Sequence, residues 1–238
     1  MKKSKYLLIL GAIIILSSCF RNKLCVDGNG EYSSETREIS LFNGVVSKGN
    51  FVVFVSFDTI PQVIVEAESN LLYYISTEVQ GNNLVIKTRN DRCIDQHMPI
   101  KVFVKTPQLS KLEICGSGSI NSDDIFTNYV ELEISGSGNI SATTTVETID
   151  AKISGSGNIY LNGNAHETEF KITGSGSIYS YDLFQEICFS TISGSGNIYV
   201  NVSEMLDVQI FGSGSVYYIG NPLIINTSIL GSGSVYKY

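Results

Sequence analysis

From residue 111 to the end the chain alternates between apolar and polar residues. Leu112 and Ile114 bracket Glu113, Leu132 and Ile134 bracket Glu133, and Ala151 and Ile153 bracket Lys152. A period of two marks β-strand with one face turned inward. The alternation is broken at a nearly fixed interval by Gly-Ser-Gly, beginning at Gly116, Gly136, Gly155, Gly174, Gly194, Gly212 and Gly231. The steps between these glycines are 20, 19, 19, 20, 18 and 19 residues. Two residues before each stands an isoleucine: Ile114, Ile134, Ile153, Ile172, Ile192, Ile210 or Ile229. Four residues after stands Ile120, Ile140, Ile159, Ile178, Ile198, Val216 or Val235.

A repeat of this length, without the apolar spacing of helices and crowded with β-branched residues, predicts an all-β chain wound as a parallel β-helix. Each rung of the β-solenoid takes ~19 residues, with equivalent residues stacked ~4.8 Å apart. The isoleucines then form inward ladders. Gly-Ser-Gly is the corner, where a residue without Cβ lets the strand bend. The residue that follows is always Ser or Asn, able to bond the corner backbone or its equivalent in the next rung. The same triplet is not a phosphate cradle, because no lysine and no helix pattern follow it. It is not the calcium nonapeptide either, whose Asp and nine-residue period are missing.

Residues 39–110 lack the triplet. Strands are expected at Phe51–Phe57, Gln62–Ala67, Ile75–Val79, Leu84–Thr88 and Ile100–Lys105, with turn signals such as Gly81-Asn82-Asn83 between them. This half reads as the irregular N-terminal rungs or cap of the same solenoid, a sandwich-like domain being the alternative, and 111–238 as its regular repeats. The chain stops at Tyr238 without a polar cap after the last corner, which predicts an open last rung and a homodimer formed end to end through it.

Ahead of the β region, Lys2, Lys3 and Lys5 precede an apolar core from Tyr6 to Leu16, and Leu16-Ser17-Ser18-Cys19 closes it. That is the pattern of a secretory signal, too short for a membrane span. Small residues before a cysteine resemble a bacterial lipobox, which implies cleavage after residue 18 and a lipid on Cys19. Residues 19–38 then read as a polar tether. The expected address is the cell envelope, at the periplasmic or outer face of an outer membrane. The whole chain carries 16 basic and 23 acidic residues. Loss of three signal lysines leaves 13 − 23 = −10, which argues against nucleic acid and against binding anionic lipid by charge.

The repeated GSGSI and GSGNI, with GSGSV at 212–216 and 231–235, together with Pro107-Gln108-Leu109 leading into Leu112-Glu113-Ile114, resemble the head GIN domain family, labelled autotransporter adhesins. The resemblance runs from about Ile39 to the end. It implies a right-handed helix of parallel strands and brings no catalytic residues with it.

Several residues are candidates for chemistry. Five positions after the first corner glycine stand Tyr160, Tyr179, Tyr199, Tyr217 and Tyr236. Their neighbours face inward, so the tyrosines should face out as an aromatic ridge, either bracing the solenoid or binding a glycan or protein. Five positions before the glycines stand Glu131, Asp150 and Glu169, with Lys152 and Lys171 on the same face, which reads as ion pairing; no loop clusters oxygens for calcium. Cys25 and Cys93 are the expected disulfide in an oxidising compartment. Cys188 sits on an inward ladder, and Cys115 stands beside a corner. His97 and His166 are far apart in sequence, and no nucleophile or metal motif accompanies them. No metal or other cofactor is expected. The reading is a lipid-anchored, non-enzymatic surface for adhesion or recognition, with a self-associating structural module as the alternative and a polysaccharide lyase behind both.

Overall fold

The computed structural model describes residues 25–238; the signal segment and Cys19 lie outside them. The fold is nearly all β, 72% strand and 3% helix, wound as a β-solenoid of about seven turns. Five long strands carry the regular part: β11 (Ser119–Gly136), β12 (Asn139–Gly155), β13 (Asn158–Gly174), β14 (Ser177–Gly194) and β15 (Asn197–Gly212). Each is almost a full rung, and each pairs in parallel with the next. The register sets like on like: Ile134 on Ile153, Ile153 on Ile172, and Gly136 on Gly155 on Gly174. The ladders predicted from the flanks of the triplet are therefore the core, with Ile114, Ile134, Ile172, Ile192 and Ile210 all buried.

The corners fall on the triplets for two reasons. The first glycine of each has φ between +124° and +142°, a conformation that side chains resist. Its neighbour in the rung below is also too near for a Cβ. One built on Gly155 would lie 2.2 Å from the Gly136 carbonyl oxygen, and one on Gly157 would lie 2.2 Å from that of Gly138. The closeness is used: Ser137 and Gly138 both donate their N–H to the Gly116 oxygen, at 2.9 and 3.1 Å, and the pattern repeats up the column.

The variation in step length has a cause. Between Ser122 and Ile125 the register of β11 on β12 slips by one residue, a bulge at Asp123-Asp124, and that step is 20. Another bulge, between Tyr160 and Asn162 of β13 and their partners in β14, accounts for the second 20. The corners stay aligned because extra residues are taken up at the far bend.

The N-terminal half belongs to the same stack, in an order the sequence does not announce. β3 (Gly44–Lys48) and β4 (Val52–Phe57) form a rung around a corner spelled Gly49-Asn50-Phe51. Gly49 has φ +141°, and its carbonyl accepts the Gly118 N–H at 3.1 Å. After β4 the chain drops through β5 (Gln62–Glu68), β6 (Ile75–Gln80), β7 (Asn83–Thr88), the two-residue β8 (Ile94–Asp95) and β9 (Lys101–Thr106). β7 lies beneath β3, and β9 beneath β4, both parallel. The chain then climbs back, so that β10 (Lys111–Gly116) lies on top of β3 and the start of β11 on top of β4. Rung β3–β4 is thus sandwiched between later segments. Antiparallel β6 and β5 close this end of the stack.

Residues 25–38 are not the free tether that their polarity suggested. β1 (Val26–Asp27) pairs with β8, and β2 (Tyr32–Arg37) pairs antiparallel with β5. β2 lies on an edge with both faces largely in solvent, so it has no apolar alternation to read. At the other end β16 (Ser215–Ile219), β17 (Ile224–Gly231) and β18 (Ser234–Lys237) finish the winding. Among the described residues no strand is stacked on the far side of β17. Ile225 and Ile229, on the inward ladders, are 44% and 39% exposed, whereas Leu206 and Ile210 below them are fully buried. Among the described residues no helix is long and apolar enough to cross a membrane.

Candidate functional site: an aromatic column

The tyrosines at the fifth position after each corner follow inward-facing Ile or Val, so the alternation turns them outward. The parallel register then sets Tyr160 on Tyr179, Tyr199, Tyr217 and Tyr236 in turn. Ring centroids are 5.0, 4.9, 5.0 and 5.3 Å apart, with planes within 6° to 21° of parallel. In-register stacking leaves the ring edges and hydroxyls toward solvent, and Tyr160, Tyr179 and Tyr236 are exposed by more than a third. The rungs before Tyr160 carry Asn121 and Ser141 in this column, so it begins at β13.

Two further rings widen the column. Tyr181 meets Tyr199 edge-on at 5.6 Å and stacks with Tyr238 at 6.1 Å. Neither was foreseen from the repeat, because Tyr181 enters through the bulge in β14. The 20-residue step from Gly174 to Gly194 was the trace of it. Partial burial and the neighbouring tyrosines raise the hydroxyl pKa of Tyr181 and Tyr199, so both are protonated donors at neutral pH. Chemically the column can stack, pack and hydrogen-bond. It offers no base or activated nucleophile.

The charged face before the corners is internally paired. Lys111 reaches Glu113, Glu131 and Glu133 at 3.1, 3.2 and 3.6 Å. Lys152 reaches Asp150 at 2.7 Å and Glu131 at 3.8 Å, and Lys171 pairs with Glu169. Burial works against the Lys111 charge, but the carboxylates outweigh it and raise its pKa. No group of His, Cys, Asp and Glu among the described residues could hold a metal ion.

Cys25 and Cys93 form a disulfide. Cys188 is fully buried and Cys115 half-buried, and burial pushes both thiols up to about 11, so neither is a nucleophile at neutral pH. His97 lies 3.1 Å from Asp27, and His166 pairs with Glu186 at 2.8 Å. The two imidazoles are held in separate surface contacts with carboxylates.

A stack of ~19-residue rungs with glycine corners and a stacked aromatic column places the chain in the class of β-solenoid repeat proteins. Residues 41–222 match the family described as "Putative auto-transporter adhesin, head GIN domain", and the chain belongs to that family. Solved structures share its fold over most of its length. A "putative adhesin" from Bacteroides fragilis is 20% identical, with TM-score 0.85, covering 90% of this chain and 100% of that one. A "putative lipid binding protein" from Parabacteroides distasonis is 27% identical, with TM-score 0.76, covering 90% of this chain and 99% of that one. A "putative adhesin" from Parabacteroides merdae is 21% identical, with TM-score 0.70, covering 90% and 98%. No curated protein matches the chain. The family and these neighbours are named as adhesins or lipid-binding proteins rather than enzymes.

Proposed function

We propose that the protein is a non-enzymatic recognition module of the cell envelope, held to an outer membrane by a lipid on Cys19, whose aromatic column is the surface that meets its ligand. One observation carries this reading. Five tyrosines are stacked in one outward-facing file. A file of ring edges with hydroxyls along its rim suits the hydroxyl pattern of a sugar, or a protein surface of similar polarity. The adhesin names in the family agree with such a role.

A second reading, a self-associating structural module, is favoured by the uncovered Ile225 and Ile229 of the last rung. One experiment separates the two. The wild type and the double variant Tyr179→Ser, Tyr199→Ser are applied to a glycan array, and their mass is followed by light scattering. The first reading expects glycan signal in the wild type and a loss of at least tenfold in the variant. The second expects no glycan signal, a wild-type dimer, and a variant that is less stable yet still dimeric.

A further inference from the structure

The solenoid is interrupted on one flank, rungs away from the first tyrosine of the column. β4 leaves the stack after Phe57, the chain crosses from β9 to β10 at 106–110, and β11 bulges at Asp123-Asp124. Between them lies a cleft of about 430 Å³. That is within the range of small-molecule sites, ~300–1,000 Å³. Its walls are mostly apolar: Val55, Phe57, Pro107, Leu109, Ile125 and Phe126. Phe57 and Phe126 are 68% and 72% exposed, an unusual state for two phenylalanines lining one cleft.

The polar groups of the cleft are divided in depth. Asp123 and Asp124 line it and are exposed, and no salt bridge is formed by either among the described residues. No Lys, Arg or His lines it. Deeper, Ser122 is 4% exposed and its Oγ has no hydrogen-bond partner. Strand alternation places Ser122 inward, in register with Val55 below it and Ala142 above. An orphaned buried hydroxyl is unfavourable unless something satisfies it. Thr106, also at the cleft, differs: its hydroxyl is engaged with the carbonyls of Phe42 and Gln108.

We propose that this cleft binds a small organic amine with an apolar body and a polar group at its far end. The ammonium lies against the Asp123 and Asp124 carboxylates, the body packs between Phe57, Leu109 and Phe126, and the distal group bonds the Ser122 hydroxyl. The charges choose a cation over an anion, because carboxylates without a basic neighbour repel a negative head group. The buried hydroxyl chooses an aromatic or aliphatic amine with a distal hydroxyl over a simple alkylamine.

Three probes with nearly the same body test each element: tyramine, phenethylamine (no distal hydroxyl) and 4-(2-hydroxyethyl)phenol (no charge). A fourth, 3-(4-hydroxyphenyl)propanoate, reverses the charge. Titrations are followed by methyl chemical shifts of the full chain. Tyramine is expected to saturate with shifts centred on Val55, Leu109 and Ile125, and to bind at least fivefold more tightly than the other three. Asp123→Asn with Asp124→Asn should bring tyramine to the level of the uncharged probe; Asn suits the left-handed conformation of residue 124 (φ 42°). Ser122→Ala should bring it to the level of phenethylamine. Equal binding of the propanoate, shifts centred on the tyrosine column, or no saturation by tyramine would each overturn the proposal. If the paired Asn variant is shown by circular dichroism to be unfolded, the ranking of the four probes on the wild type decides it.

Discussion

Ser47 shows how much a single side chain says about this stack. In the regular rungs the position two before the corner is isoleucine, and Ser47 occupies that position before Gly49, with Ile114 above it and Ile86 below. It is fully buried, and its Oγ has no partner. The hydroxyl gains nothing there. Ser47→Ala is expected to stabilise the protein by about 1 kcal/mol. Equilibrium unfolding in urea would show it as a higher midpoint at unchanged slope. An unchanged or lower midpoint would mean that the hydroxyl is satisfied after all. The same residue explains why the sequence did not single out the corner of the first rung. With serine in place of isoleucine and phenylalanine in place of the second glycine, Ser47-Lys48-Gly49-Asn50-Phe51 retains one glycine of the pattern. The inward ladders and the outward tyrosines were legible because each position recurs seven times or five. Ser122, Asp123 and Asp124 were not, because an irregular bend has no second copy to align with.

Among the elements, the junction of β5 with the N-terminal segment depends on one carboxylate. Glu68, at the end of β5, is fully buried. It accepts the N–H of Gly30 at 2.8 Å, of His97 at 2.9 Å and of Met98 at 3.3 Å. Burial pushes its pKa up, but these N–H donors outweigh burial and hold it below the usual value. His97, between Glu68 and Asp27, adds to the same clamp. A carboxylate whose pKa is depressed by folding stabilises the fold above its unfolded value, and that stabilisation is lost as pH falls through the folded one. Amide hydrogen exchange at Gly30, His97 and Met98 should therefore accelerate as the pH drops below about 4, beyond the intrinsic change in exchange rate. Glu68→Gln should exchange faster at neutral pH and lose that acid response. A variant that kept the wild-type acid profile would exclude Glu68 as its source. Nothing in the sequence singled out Glu68 among the acidic residues; its partners are 38, 29 and 30 residues away along the chain.

At the scale of the whole molecule, each regular rung touches chiefly the rung before it and the rung after. Such a fold is close to one-dimensional, and its stability is a sum over rungs and their interfaces. Deleting Ser137–Gly155 removes 19 residues and rejoins two corners in register. The shortened chain is expected to fold and to unfold in a single transition, with a smaller dependence on urea in proportion to the surface lost. Deleting only Ser137–Val146 leaves the corners out of phase, and that chain should not fold. Circular dichroism with urea titration distinguishes these outcomes. If both deletions folded equally well, the stacked register would not be what holds the rungs together. The seven triplet corners and their spacing could be counted from the sequence. The threading of the first rung could not, because β3 meets β10 across 67 residues, with five other strands of the sheet between them in sequence (111 − 44 = 67).

The disulfide has a mechanical meaning once that threading is known. It joins residues 25 and 93, and the sandwiched rung β3–β4 lies wholly within the loop so closed. Tension entering at the N-terminus crosses from Cys25 to Cys93 through the sulfurs, so the backbone of residues 26–92 forms a slack bight off the covalent line of pull. The force arrives first at β8 and β9, and reaches the wedged rung only through the ladder between β9 and β4. Reduction would return 26–92 to the line of pull, lengthening the extended chain and loading the wedged rung directly.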